Sequence, residues 1–123
     1  MTFATLKQTN LTGAKLEEAY LEGADLSGAI LENSYLRKAD LASGYLQNAD
    51  LHWSDLSHAN LTSVDLRGAN LVEVDLTDTN LYKANLEGAD LSRAVLREAG
   101  IDQSQLVTAC GDGTLLPNGL SIP

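Results

Sequence analysis

The sequence predicts an all-β solenoid, in which the chain turns a corner every five residues and stacks its coils into a rod. Three observations predict it. A leucine recurs at every fifth position, a small side chain stands two residues before most of these leucines, and five of the ten glycines hold one fixed place in the same unit. The length of 123 residues suits one small domain.

The leucines follow a strict period of five. They fill 20 of the 21 positions from Leu6 to Leu106, and Ile101 is the exception. A helix rotates by about 100° per residue, so leucines at this spacing would point in all directions around it. In a straight strand they would alternate between opposite faces, because five is odd. A chain that bends in every unit keeps them on one side, where stacked coils bury them.

The position two residues before each leucine, called here the small slot, holds mainly alanine. Its members are Ala14, Ala19, Ala24, Ala29, Ala39, Ala49, Ala59, Ala69, Ala84, Ala89, Ala94 and Ala99, with the variants Ser34, Gly44, Ser54, Val64, Val74, Thr79 and Ser104. Inner side chains from all walls converge on one narrow axis, which leaves room only for small groups. We therefore expect the bulkier Val64, Val74 and Thr79 to widen or distort the rod locally.

The position immediately before each leucine, called here the polar slot, favours Asp or Asn. These residues are Asn10, Asp25, Asp40, Asp50, Asp55, Asn60, Asp65, Asn70, Asp75, Asn80, Asn85 and Asp90. Short polar side chains bond to nearby backbone at corners, so their first interpretation is structural. Five glycines, Gly13, Gly23, Gly28, Gly68 and Gly88, fall two residues after a leucine and predict a corner with positive φ.

Charge patterns indicate the length of one coil. Polar-slot aspartates coincide four times at a spacing of 15 residues and four times at 25, but only once, as Asp55 with Asp75, at 20. Stacked strands lie about 4.8 Å apart, so like charges in register would repel. Opposite charges recur at a spacing of 20 in the pairs Glu17–Arg37, Glu18–Lys38, Arg67–Glu87 and Glu73–Arg93. Four units per coil fit best, which gives about five coils and a rod of roughly 25 Å.

Residues 4–110 resemble the pentapeptide-repeat family, because they hold 21 in-phase units of the form Ala-(Asp/Asn)-Leu-X-X. The resemblance implies a right-handed quadrilateral parallel β-helix, with the leucine and the small slot inside and the other three positions outside. We expect this β-helix over residues 1–110 and a capping segment over 111–123. The stretch Gly-Asp-Gly-Thr-Leu-Leu-Pro-Asn-Gly-Leu within that segment resembles an end segment of bacterial members.

A solenoid has two raw ends, each with an apolar layer and unpaired strand edges. We predict that the tail folds as a lid over the last coil through Leu115, Leu116, Leu120 and Ile122. Phe3 and Met1 are expected to start or plug the other end. No terminal helix with an apolar stripe is visible, which disfavours the tail-to-tail dimers of some relatives. A monomer or a weak dimer is expected.

Composition limits the partners and the compartment. Seventeen acidic against eight basic residues give a formal net charge of −9, which argues against direct binding to nucleic acid or anionic lipid. No apolar run approaches the roughly 20 residues that span a bilayer, so no membrane insertion is expected. No secretory signal is visible, so the expected location is the cytoplasm, with a trimmed lumenal form as the alternative. The single cysteine, Cys110, excludes an internal disulfide.

No constellation for catalysis or metal binding stands out. His52 and His58 fall on different walls, and no Cys or His pair has ligand spacing. Ser54, Asp55 and His58 are close in sequence, but Ser54 lies in the inward small slot, which disfavours a hydrolase triad. We therefore expect no enzyme activity, no metal and no cofactor.

Aromatic residues are the outward anomaly. Tyr20, Tyr35 and Tyr45 occupy polar slots, and Trp53 also points outward. Exposed Trp and Tyr are common anchors of protein interfaces, so these four are the candidate protein-interaction residues, with Tyr35 and Trp53 as the centre. The alternative is that they merely cover corners of the solenoid.

The function expected is that of a non-enzymatic, rigid interaction or scaffold module with a protein partner. The family resemblance implies one alternative, since some members are acidic DNA mimics that bind DNA gyrase in place of DNA. Under the 20-residue coil the acidic residues spread over all four walls and arginines interrupt them, which disfavours mimicry here.

Overall fold

The chain forms a parallel β-solenoid in a computed structural model that describes residues 3–123. Isolated parallel β-bridges join residues 20 apart, from Thr5↔Asp25 at one end to Val95↔Leu115 at the other. One coil therefore takes four five-residue units, as the charge pattern predicted. Each wall of a coil contributes a single bridged residue, so the described part of the chain has bridges rather than extended strands.

The regular units repeat the same inter-coil hydrogen bonds. The polar-slot residue directs both of its backbone groups toward the preceding coil: the Asp25 N–H donates to the Ala4 carbonyl at 2.8 Å, and the Asp25 carbonyl accepts from the Leu6 N–H at 2.7 Å. A third bond, from the Gln8 N–H to the Ser27 carbonyl at 2.9 Å, joins the corners. This ladder holds the coils together along all four walls.

Each regular corner is a type II turn. The leucine carbonyl accepts the N–H of the next small-slot residue, as in the 3.0 Å bond from Ala14 to Leu11, and the second corner residue has a positive φ. The predicted glycine position is confirmed, with φ of 65–70° at Gly13, Gly23, Gly28, Gly68 and Gly88. Fifteen residues of other types adopt φ of 55–62°. The ladder thus imposes this conformation even where the side chain disfavours it.

The leucine row lines the interior, as predicted. The repeat leucines from Leu21 to Leu96 are at most 2% exposed and form one cluster with the small-slot alanines. The branched small-slot residues Val64, Val74 and Thr79 are at most 1% exposed, and the turn bonds that they donate measure 3.2 Å. Alanines donate the same turn bond at 2.9–3.3 Å, so these corners lie within the ordinary range.

The first coil is less covered than the interior coils. Leu6, Leu11 and Leu16 are only half-buried. Phe3 opens the first corner with a φ of 57°, and its ring lies 2.6 Å from where a Cβ on Gly23 would stand. Because Phe3 is 78% exposed, it starts the solenoid but does not plug its end. The predicted role of Met1 lies outside the described residues.

A four-residue helix, α1 (Gln103–Leu106), interrupts the last coil and corrects the prediction of an unbroken repeat up to Leu106. Ser104 does not fill an inward small slot, because it is exposed and its hydroxyl bonds to the Asp102 carboxylate. Asp102 and Gln105 form a capping box that starts α1. This Asp-Gln-Ser-Gln signal overrides the five-residue period at Ile101.

The Gln105 side chain takes over hydrogen bonds that the backbone of a regular coil would make at this wall. Its side-chain Nε2 donates to the carbonyls of Leu81 at 2.6 Å and Ala84 at 3.0 Å. In a regular coil the Ala84 carbonyl would accept the backbone N–H of residue 105. The helix therefore leaves no unpaired ladder carbonyl at Ala84, and Leu106 keeps its place in the core.

The tail covers the C-terminal end. The ladder continues past residue 110 to Leu115, and Leu116, Leu120 and Ile122 then pack on the core, while Leu115 is 45% exposed. The Gln103 side chain holds the tail by donating to the Ser121 carbonyl at 2.7 Å and accepting its N–H at 3.1 Å. Within residues 3–123, no helix has the length and apolar character needed to cross a membrane.

Candidate interaction surface

The polar slots serve the backbone, as their structural interpretation predicted. All twelve Asp and Asn residues of these slots accept a hydrogen bond from the backbone N–H two residues later. The ladder and the turn use four of the five N–H groups in a unit, and this contact satisfies the fifth. The acidic residues are therefore part of the corner.

The β-bridges distribute the seven polar-slot aspartates over all four walls. Asp25 and Asp65 share one wall through Tyr45, Asp55 pairs directly with Asp75, and Asp40 lies on a further wall. Asp50 and Asp90 occupy the fourth, joined through Asn70. No wall carries an unbroken acidic column within residues 3–123.

Several carboxylates are neutralised locally. Arg67 donates to Asp65 with Nη2 at 2.6 Å from Oδ2, and this contact holds the pKa of Asp65 below its ordinary value. Arg67 thus bonds within its own unit and not to Glu87, its predicted partner. The predicted pairs Lys38–Glu18 and Arg93–Glu73 do form, at 3.9 and 2.9 Å. The predicted pair Glu17–Arg37 is not among the ion pairs of the described chain.

The register separates the four candidate aromatic residues. Tyr20 is bridged to Asp40, Tyr35 to Asp55, and Tyr45 to Asp65, which are positions on three different walls. Tyr35, Tyr45 and Trp53 are each about half exposed, and Tyr20 more so. They do not form one continuous patch, and only Tyr35 and Trp53 occupy adjoining positions of successive coils.

Trp53 stands at a corner with a supported ring. It is the second corner residue, with a φ of 62°, and apart from Phe3 it is the only aromatic residue at such a position in the described chain. The His52 ring lies 4.1 Å from the Trp53 ring, centroid to centroid, with the planes at 45°. Nδ1 of His52 is in turn 3.3 Å from Oδ1 of Asp50. The indole is thus buttressed on one side and 52% exposed overall.

Two carboxylates continue the surface beside this corner. Tyr35, Asp55 and Asp75 occupy consecutive bridged positions of one wall. Oδ1 of Asp55 accepts bonds from the Ser57 N–H at 2.9 Å and from its hydroxyl at 2.6 Å. We call the set Tyr35, His52, Trp53, Asp55 and Asp75 the Trp53 corner. It combines aromatic faces with negative charge, which suits Arg or Lys side chains.

One exposed aromatic residue escaped the sequence interpretation. Tyr82 is 61% exposed at another corner, with Nζ of Lys83 at 5.3 Å from its ring centroid. It sits directly after a leucine, a position with no residue preference in the repeat, so the pattern gave no signal for it.

The residues considered for catalysis are not brought together. Ser54 is buried without a hydrogen-bond partner for its hydroxyl, and Asp55 bonds to Ser57. Nδ1 of His58 has Oδ2 of Asp78 as its carboxylate neighbour, at 3.8 Å. Among residues 3–123, no group of three or more His, Cys, Asp or Glu side chains is placed to hold a metal ion.

Comparison with known proteins gives a family. The model of pentapeptide repeats matches with eight copies, over residues 4–42, 34–71, 45–82, 59–97 and 75–110. None of the curated proteins matches the chain.

Solved structures of pentapeptide-repeat proteins are similar to this chain. Rfr23 from the cyanobacterium Cyanothece 51142 is 38% identical with a TM-score of 0.72, over 75% of this chain and 63% of Rfr23. The protein alr5209 from Nostoc PCC 7120 is 30% identical with a TM-score of 0.46, over 91% and 84% of the two chains. QnrB1, a plasmid-mediated fluoroquinolone resistance protein, is 14% identical with a TM-score of 0.42, over 94% and 70%.

The match to Rfr23 shows how far this likeness extends. The chain spans 63% of the length of Rfr23, so the likeness concerns the solenoid and not the whole of that protein. The solenoid itself is the part that the family model matches, from residue 4 to residue 110. With its leucine interior, its type II corners and its 20-residue coil, the chain belongs to the pentapeptide-repeat family.

Proposed function

We propose that this chain, a right-handed β-helix of about five coils, is a non-enzymatic, rigid protein-interaction module that binds its partner at the Trp53 corner. The single observation that carries the proposal is the supported, half-exposed indole of Trp53. Burying such a ring against a partner would remove a large apolar surface from water with little loss of side-chain freedom.

The size of its ring distinguishes Trp53 at this corner. The two preceding coils place Gly13 and Asn33 at the same corner, and the two following coils place Glu73 and Arg93 there. Fifteen non-glycine residues share the positive φ, so the large, half-exposed ring and not the backbone conformation supports the choice of Trp53.

Charge beside the ring indicates the chemistry of the partner. Asp55 and Asp75 lie one coil apart on the adjoining wall, and the whole chain carries a net charge of −9. A protein segment that presents Arg or Lys next to an apolar group would pair with these carboxylates and stack on the indole.

Affinity purification with quantitative mass spectrometry tests the proposal in cells that express the chain. Wild type, Trp53→Ala and Tyr35→Ala are compared with Tyr82→Ala, which removes an equally exposed aromatic ring from another corner. We expect a shared partner to be lost from the first two variants and kept by the third. Retention of every partner by Trp53→Ala and Tyr35→Ala would show that the Trp53 corner is not the binding surface.

The alternative of an acidic DNA mimic has less support. The polar-slot aspartates lie on all four walls and bond to their own corners, and the likeness to QnrB1 concerns the fold alone. A gyrase supercoiling assay separates the two functions. The scaffold proposal predicts unchanged supercoiling at a large molar excess of the chain, whereas concentration-dependent inhibition would favour mimicry.

A further inference from the structure

We propose that the N-terminal end of the rod is a self-association surface, at which two copies meet through their first coils. This surface, called here the end face, consists of the partly buried Leu6, Leu11 and Leu16 and the edge residues Thr5, Asn10 and Lys15. It is separate from the Trp53 corner, so the two proposals fail independently.

The end face exposes apolar surface that every interior coil buries. Repeat leucines from Leu21 to Leu96 are at most 2% exposed, whereas Leu6, Leu11 and Leu16, with Ala4 and Ala19 beside them, are only partly buried. No described residue lies over this layer. Covering it would contribute favourable free energy in proportion to the apolar area removed from water.

The edge of the first coil presents self-complementary hydrogen-bonding groups. In the next coil Asp25 uses both its N–H and its carbonyl toward the preceding coil. By the same geometry the backbone N–H and carbonyl groups of Thr5, Asn10 and Lys15 point along the rod away from the second coil. They have no partner there within residues 3–123. Two residues that exchange both N–H···O bonds are the repeating pair of an antiparallel ladder. A two-fold axis perpendicular to the rod would bring two such edges together in this antiparallel sense.

The opposite end excludes head-to-tail stacking, which would otherwise extend into an open filament. There Leu116, Leu120 and Ile122 pack on the core, and the Gln105 side chain occupies the Leu81 and Ala84 carbonyls. Because residues 3–123 cap one end of the rod and leave the first coil uncovered, two copies of this part of the chain can pair only through their first coils. Association then closes at two copies.

Charge favours a second copy over a strongly charged partner at this end. Residues 3–20 carry Lys7, Lys15, Glu17 and Glu18, so their charges balance. The rest of the chain has 15 acidic and 6 basic residues and therefore holds the whole net charge of −9. Repulsion between two copies is thus weakest when they meet at their first coils.

Sedimentation equilibrium of the full chain tests the association. A single end face is a small interface, so we expect a weak dimer. The mass should rise from 13.1 kDa toward twice that value as the concentration reaches about 1 mM. A constant 13.1 kDa over that range overturns the proposal. A mass that grows beyond the dimer would show that the covered C-terminal end does not prevent head-to-tail stacking.

The native Cys110 reports which ends meet, because it is exposed and lies in the last coil. Five successive β-bridge steps connect Asn10 to Cys110, which is about 24 Å at a spacing of about 4.8 Å. Spin labels on Cys110 should therefore lie about 50 Å apart in the dimer. Labels closer than about 25 Å would show contact between the capped ends and overturn the proposal.

Two variants locate the interface on the end face. Lys15→Glu adds like charge to the edge, and Thr5→Pro removes an outward N–H that the single chain leaves unpaired. Each should weaken dimerisation at least about tenfold, whereas Lys83→Glu, with the same charge change near the other end, should leave it within about twofold. Unchanged dimerisation in both edge variants overturns the proposal, provided that circular dichroism shows the wild-type fold.

Discussion

Truncation of one central leucine tests the packing of the rod. Leu56 is 1% exposed, and its N–H donates to the Asp75 carbonyl at 2.8 Å. Leu56→Ala removes three carbon atoms, which is about 2.4 kcal/mol of transfer free energy at about 0.8 kcal/mol per carbon. The ladder fixes the coils on both sides, so the cavity cannot collapse. The total loss of unfolding free energy should therefore lie at about 3–5 kcal/mol.

Thermal and urea unfolding followed by circular dichroism measure this loss. At about 3–6 °C per kcal/mol for a domain of this size, the midpoint should fall by roughly 10–25 °C. Leu11→Ala is the matched control, because Leu11 has the same place in its unit but is only half-buried in the first coil. It should cost less than half as much. An unchanged midpoint in Leu56→Ala, or an equal loss in both variants, would show that Leu56 is not packed in a rigid interior.

Three further predictions concern the slots and the corners. Ser34→Ala and Ser54→Ala should each raise the unfolding free energy by about 1 kcal/mol, because they remove buried hydroxyls without hydrogen-bond partners. Thr79→Ala should lower the unfolding free energy, because the Thr79 hydroxyl donates to the Leu76 carbonyl at 2.8 Å. The opposite ordering of the three variants in urea melts would contradict this. Gly68→Ala and Gly88→Ala should destabilise by similar amounts in the same melts, because both positions have a positive φ and a Cβ at residue 68 would meet only the rotatable side-chain amide of the exposed Asn48. A much larger loss in Gly68→Ala would show that the Asn48 side chain cannot move aside. The hydroxyl and N–H of Ser27 hold the pKa of Asp25 below its unfolded value of 3.8, so the stabilisation is present above that pH and is lost as the pH falls through the folded pKa. Asp25→Asn keeps the hydrogen-bond acceptor but cannot titrate, so the unfolding free energy of this variant should fall less steeply below about pH 4. An unaltered pH dependence would argue against this contact.

The sequence predicted the repeating unit well, because the unit is determined by local chemistry. Leucine every five residues sets which side is buried, and the recurrence of glycine at the second corner position identifies the turn that bends the chain. Asp and Asn before the leucine accept the one N–H that the ladder and the turn leave unpaired. Each of these signals needs no information from distant residues, and repetition strengthens it.

What the sequence did not reveal depends on competition between neighbouring signals. At Asp102–Gln105 a helix-capping pattern competes with the five-residue period and wins, since Gln105 can still serve the Leu81 and Ala84 carbonyls. Arg67 pairs with Asp65, the polar-slot residue of its own unit, at 2.6 Å, and not with Glu87 in the next coil. Side-chain choices of this kind follow from local geometry, which the spacing of charges along the sequence does not determine.

The aromatic residues show the same limit. Outward positions were predicted correctly for Tyr35, Tyr45 and Trp53, which are all about half exposed. Their separation follows from the 20-residue coil, which places Tyr20, Tyr35 and Tyr45 on three walls. The support of Trp53 by His52 and Asp50 depends on rotamers that no spacing rule reports.

Through-hydrogen-bond scalar couplings in the isotope-labelled protein test the central geometry most directly. A coil of four units predicts couplings from leucine amide nitrogens to carbonyl carbons 19 residues later, such as Leu56 to Asp75 and Leu61 to Asn80, whose bonds are both 2.8 Å long. Couplings to carbonyls about 14 or 24 residues later would require three or five units per coil, and couplings to the fourth preceding residue would require helix. Either result would contradict a solenoid with four units in every coil.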